Sequence, residues 1–259
     1  MSKTAFVFCG GARTFLECFD TCFKNVICRL CPDADPYQIT LIFYMKLTDP
    51  GPKKFAAHNY YVGKYTNCNF EYKDNNYDEI IQKIEEYRAK GLKIFHRILF
   101  HSEINDFDLM LSVRSRGLYT GFNGRDIRFI RAVHQAYNFE KAGQMLLDAE
   151  GGQGSEFDAI VYIRPDLLFT GKSKELGHYL LDKVILAEGE EFYSNDHFAL
   201  IPRKYMKNFF FDRMELYRTN TDKKFTTAEE VYWHTIDYRV EKVASYHIER
   251  QAQIWDLWG

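Results

Sequence analysis

The chain is short of proline, with 6 in 259 residues, and of tryptophan, with 3. It also lacks an excess of either charge, at a net −2. Without a basic excess, nucleic acid is not an expected partner. No stretch approaches the ~18 apolar residues of a membrane span. The opening Ala5–Cys9 run is cut short by Gly10, Gly11 and Arg13. It therefore lacks the apolar length of a secretory signal, and a cytosolic protein is expected. Several motifs are missing too. There is no G-x-G-x-x-G, no P-loop and no G-x-S-x-G elbow, which argues against a dinucleotide-binding dehydrogenase, a P-loop kinase and a serine hydrolase. Cys28-x-x-Cys31 has no second C-x-x-C to complete a zinc site. Cys18 and Cys22, at i, i+4, read as small buried residues.

An apolar fraction of 46% and a charged fraction of 27% describe a globular chain with enough apolar residues for a full core. Thr4–Cys9 reads as a buried strand that turns at Gly10-Gly11. Phe15, Phe19, Phe23, Val26, Ile27 and Leu30 then have helical spacing, and Gln38–Met45 is a second strand. Strand, glycine turn, helix, strand is the opening of an α/β unit with a parallel sheet. Thr48–Asp78 reads as a long irregular insertion. Helices are expected over Asp78–Ala89, Asp126–Ala149, Arg203–Tyr217 and Thr227–Tyr238. Further strands are expected over Lys93–His101, Phe157–Ile163, Lys183–Ala187, Asp196–Ile201 and Glu241–His247, with Glu150–Ser155 a flexible connector. The expectation is one α/β domain with a mixed, mostly parallel sheet flanked by helices.

Four constellations bear chemistry. Cys9-Gly10-Gly11-Ala12-Arg13-Thr14-Phe15 joins a strand to a helix start, where N–H groups and a forked cation suit a phosphate. The plainer alternative is a glycine turn with a surface arginine. Arg164-Pro165-Asp166 ends the Phe157–Ile163 strand, and a carboxylate there can hold Mg²⁺ or Mn²⁺. The alternative is an Arg164–Asp166 pair that closes the turn. Asp196 and His197 lie in a polar cluster before a strand and can serve as bases or open an Asx-type turn. His247 ends a strand and is a candidate metal ligand. Asp106-Phe107-Asp108 is a literal D-x-D in a polar stretch and reads as a decoy.

Taken in order, these residues look familiar. Phe8–Phe15, the Phe157–Phe169 strand with its Arg-Pro-Asp-Leu-x-Phe, Asn195–Ala199 and the acidic segment 227–238 resemble a motif set of glycosyltransferases from bacterial polysaccharide clusters and large algal viruses. The resemblance implies a GT-A-like fold, with residues 1–166 mainly a donor half and 167–259 mainly an acceptor half. It implies sugar transfer from a nucleotide diphosphate donor, UDP-linked by preference, to a glycan hydroxyl. Gly10, Gly11, Arg13, Thr14 and Arg164 would contact the donor. Asp166 and His247 would hold Mn²⁺ or Mg²⁺, although Arg164 stands where a D-x-D would have its first aspartate. Tyr44, Tyr61, Tyr193 and Trp233 are available for stacking on base or sugar. Asp196, or Glu230 of the Glu229-Glu230 pair, would be the base. The competing readings are a sugar-phosphate nucleotidylyltransferase, whose glycine-rich loop is normally longer, and a non-catalytic carbohydrate-binding protein.

Overall fold

The computed structural model describes residues 3–12, 14–47, 76–100, 103–104, 106–113, 127–188, 197–219, 231 and 234–248. In chain order the strands are β1 (Thr4–Gly11), β2 (Ile39–Leu47), β3 (Lys93–Phe100), β4 (Ala159–Ile163), β5 (Leu167–Phe169), β6 (Val184–Ala187), β7 (Phe198–Pro202), β8 (Tyr238–Glu241) and β9 (Tyr246–Ile248). Seven of them form a mixed sheet in the order β3-β2-β1-β4-β7-β6-β8, and β5 pairs with β9 apart from it. The β1–β2, β1–β4, β2–β3 and β6–β8 pairs are parallel, while β7 runs antiparallel to β4 and β6. The sheet thus draws strands from both expected halves of the chain.

Helix α1 (Phe15–Cys22) runs on through a π-helical segment (Phe23–Ile27) and a last turn (Cys28–Leu30). The other helices are α2 (Tyr77–Arg88), α3 (Asp106–Leu111), α4 (Ile127–Gln153), α5 (Met206–Phe210) and α6 (Asp212–Thr219). A parallel strand covered on both faces is apolar throughout, as β1 is. Its pleat sends Phe6 and Phe8 to the face of α1 and α2, and Ala5, Val7 and Cys9 to the face of α4 and α5. On the first face Phe8 stacks on Phe43 at 4.9 Å between ring centres and meets Phe19 edge-on at 5.3 Å. Each fully buried Phe contributes about 1.5–3 kcal/mol. Cys9, Cys18 and Cys22 are buried free thiols, and Cys28 is exposed.

Two polar clamps set the strands that matter most. Asn25, in the π-helical segment, donates from Nδ2 to Phe169 O at 2.8 Å, and its own carbonyl accepts from Ser173 N at 2.8 Å. That ties α1 to β5. Glu150, buried near the end of α4, accepts from Phe157 N and takes both arms of Arg203, all at 2.9 Å. That ties α4 to the entry of β4 and the exit of β7.

Several expected boundaries move. β1 continues through Gly10 and Gly11, because Met45 and Lys46 of β2 give both glycines partners. The connector expected over Glu150–Ser155 is helical to Gln153, where the Glu150–Arg203 clamp holds it. The helix expected over Arg203–Tyr217 is a 3-10 turn followed by α5 and α6, which are separated at Phe211. The strand expected over Glu241–His247 is two strands in two sheets. Tyr238, expected to end a helix, starts β8. Most of the expected 48–78 insertion and half of the expected 227–238 helix lie outside the described residues. No helix among the described residues is long and apolar enough to cross a membrane.

Candidate functional site

The strand order reverses between β1 and β4. From β1 the chain passes through α1 to β2 on one side, and α4 leads into β4 on the other, across the opposite face of the sheet. In open α/β sheets, the crevice outside the carboxyl ends of strands at such a reversal is where ligands bind. The register Phe8↔Ile163 puts the two strongest sequence motifs there together. Gly10 has φ 140°, which a side chain rarely adopts, and a Cβ on it would sit 3.4 Å from Pro165 Cδ. The glycine therefore lets the β1 turn lie against the Arg164-Pro165-Asp166 turn.

Arg164 and Asp166 form a bidentate pair, with Nε to Oδ1 at 2.9 Å and Nη2 to Oδ2 at 2.8 Å. Asp166 is 1% exposed, and Arg164 is half-buried. Pro165 stiffens the turn between them. Arg164 N–H donates to His197 O at 2.8 Å, so β7 delivers His197 to the same end of the sheet. The His197 ring stands edge-on to the buried Tyr246 ring, 6.3 Å between centres. His247 lies opposite Leu168 in the β5–β9 pair, two residues beyond Asp166. Its side chain is outside the described set.

The expected metal site meets a competitor here. The Asp166 carboxylate already receives a guanidinium on both oxygens, so a divalent cation would have to displace Arg164 or share the carboxylate with it. Among the described residues no three of His, Cys, Asp or Glu come together. The residues described do not make a set that fits a cation.

Tyr44 is corrected. It is 1% exposed in the core on the α4 face, so it offers no ring to stack on a base. Thr14 is buried at the start of α1 and accepts a weak contact from Cys18 Sγ at 3.7 Å. Gly10 and Gly11 are half-buried at the turn. Asp106 and Asp108 lie on the short helix α3 rather than at a strand end, in keeping with a decoy. Arg13, Asp196 and Glu230 lie outside the described residues, as do Tyr61, Tyr193, Glu229 and Trp233.

Two cations at this end of the sheet were not foreseen. Lys46 pairs in register with Gly11, its carbonyl accepts from Ala12 N at 2.9 Å, and it is 4% exposed. Arg213 of α6 is equally buried. Its guanidinium lies 3.7 Å from the centre of the Phe139 ring, and Nη2 donates to Phe209 O at 3.0 Å. Both fields reach Cys9. Burial pushes that thiol up to about 12, while Lys46 and Arg213 pull the other way. Lys46 is legible in hindsight as the lone charge in the apolar run Ile39–Leu47. Arg213 carries no such signal, since an arginine in a short helix is ordinarily solvated.

No protein-family model matches the chain, and no curated protein sequence does.

Proposed function

We propose that the chain is a glycosyltransferase of GT-A-like architecture, moving a sugar from a nucleotide diphosphate donor, UDP-linked by preference, to a glycan hydroxyl. The observation that carries this reading is the meeting of Gly10-Gly11 with Arg164-Pro165-Asp166 at the reversal of strand order. A glycine turn lets phosphate oxygens approach backbone N–H groups, and fixed cations stabilise the charge that develops on the leaving diphosphate. The cations assigned to that role are Arg13 and Arg164, together with the buried Lys46 and Arg213. Asp166 orients Arg164 through two hydrogen bonds, so its first role is to aim the guanidinium. Asp196, which precedes β7 by two residues in the sequence, or Glu230, takes the acceptor proton. Removing such a base costs about 10²–10⁴-fold in rate. No step of this reading is routed through Mn²⁺ or Mg²⁺, because Arg164 already takes both oxygens of Asp166.

The test is a thermal-shift screen with UDP-, GDP- and TDP-sugars, with and without Mn²⁺, followed by an assay for free nucleoside diphosphate. Ligands that bind the folded state raise the midpoint. A shift together with slow diphosphate release is expected. A shift without release turns the reading to a carbohydrate- or nucleotide-binding protein. That second reading draws on the buried Arg164–Asp166 pair, which serves equally well as a structural clasp. No shift with any donor ends the proposal.

A further inference from the structure

Free cysteine is among the most buried residue types, and Cys9, Cys18 and Cys22 follow that rule. Cys28 departs from it. It is exposed, and Cys31, three residues on, is half-buried. The two occupy the last turn (Cys28–Leu30) of the helix that begins at Phe15, and the residue that caps it. That helix leaves the carboxyl end of β1, and the chain then enters β2 parallel to β1. The cysteine turn therefore lies toward the opposite end of the strands from the crevice, and it is independent of the sugar-transfer reading.

The backbone brings the pair together. Cys28 has φ −65° and ψ −18°, close to a 3-10 turn, in which side chains at i and i+3 eclipse. Cys31 N–H donates to Ile27 O at 3.2 Å, which closes the turn, while Cys31 itself has left helical geometry at φ −129° and ψ 63°. Residues three apart in such a turn have Cα atoms about 5–6 Å apart, inside the roughly 4.4–6.8 Å that disulfides span. Burial pushes both thiols up, and the Cys28 thiol adds to the rise at Cys31, so the two sense each other. Arg29 and Lys90 pull Cys28 the other way.

We propose that Cys28 and Cys31 are a thiol–disulfide exchange site that takes a small-molecule disulfide as its oxidant. The exposed Cys28 thiolate attacks one sulfur of that disulfide, its S–S bond breaks, and one thiol leaves. The Cys31 thiolate then attacks Cys28 Sγ in the mixed disulfide, and the second thiol leaves. The protein dithiol is oxidised by two electrons, the reagent is reduced to two thiols, and the two cysteine protons end on them.

The test uses the full folded chain with glutathione disulfide as the probe, and peptide mapping by mass spectrometry reads each cysteine. A Cys28–Cys31 disulfide that dithiothreitol reverses is expected, with Cys9, Cys18 and Cys22 left as thiols. Its rate should rise about tenfold per pH unit near neutrality, because the thiolate is the nucleophile and both thiols titrate above that range. Cys31→Ser removes the resolving thiol and should leave a glutathione adduct on Cys28, about tenfold more abundant than in the wild type. Cys28→Ser should slow modification of Cys31 about tenfold, since the remaining thiol is half-buried. A melt confirms that each variant is folded, and the wild-type map decides alone should either unfold. A wild type that keeps both thiols, stops at an adduct on Cys28, or oxidises its buried cysteines equally fast overturns the proposal. So does a rate that ignores pH, or a Cys28→Ser chain whose Cys31 reacts at the wild-type rate.

Discussion

The two turns that meet at the reversal of strand order are closed by different means. The β1 turn is closed through its backbone at Gly10, which adopts a φ of 140° and lies against Pro165. The β4 turn is held by a proline ring and a bidentate ion pair with a fully buried carboxylate. One turn keeps side chains out of the way at Gly10 and Gly11, while the other supplies fixed charge. A site for an anionic ligand needs both, because a cradle without charge binds weakly and charge without room admits no ligand.

The contrast is broken most directly at Asp166. Asp166→Ala removes the partner of a largely buried guanidinium and should cost about 3 kcal/mol, the low end for opening a buried pair, since Arg164 keeps some contact with water. Urea unfolding measures it. A loss below about 1 kcal/mol is the range of an exposed ion pair and would mean that charge does not close this turn. Gly10→Ala is the matching change at the other turn. The added Cβ makes only ordinary contact with Pro165, so the cost comes from the backbone, about 1–3 kcal/mol. A neutral result would show that φ relaxes and that the turn does not depend on glycine.

Cys9 sharpens the comparison, since it precedes Gly10 on a face where Lys46 and Arg213 are buried. Its thiol is held up at about 12 against an ordinary 9.0, chiefly by burial. Between those values the unfolded chain has lost the proton that the folded chain keeps. The folded state then binds more protons, so stability falls as pH rises through this window. Cys22, pushed up by burial in the same sense, adds to the fall. Denaturation midpoints at a series of alkaline pH values should decline, and Cys9→Ala should flatten part of the slope. If Cys9→Ala leaves the slope unchanged, the cations next to Cys9 offset its burial. The smallest effect is expected at Gly151, an exposed glycine in α4 whose Cβ would meet nothing within 4 Å. Gly151→Ala should raise stability by about 0.5–1 kcal/mol, the helix-interior difference, and a thermal melt reads it. Destabilisation there would mean that α4 needs its glycines, as β1 needs Gly10.

Much of the sheet was legible from residue order. The apolar runs Thr4–Cys9, Gln38–Met45 and Phe157–Ile163 became β1, β2 and β4, because a strand buried on both faces needs apolar residues throughout. The spacing of Phe15, Phe19 and Val26 foretold α1 but not its π-helical segment, which is bound up with the contacts of Asn25 to β5 and Ser173. The β5–β9 pair was illegible, since strands of three residues carry no periodicity and exist only through each other. Tyr44 was misjudged for a related reason. Aromatic character suits stacking and burial alike, and only the position of α4 over its face decides between them.

Composition and periodicity by themselves determined the α/β class, the glycine ending of β1 and the charged turn after β4, because these depend on residues adjacent in sequence. Tertiary structure alone decided that the two turns touch. It also decided that Arg164 clasps Asp166, that Lys46 lies buried opposite Gly11 and Arg213 against the Phe139 ring, and that β8 stands last in the order of the described strands. These features depend on the order and register of strands far apart in the chain. That order is set by which faces the helices cover, a long-range packing choice that no local stretch of residues encodes.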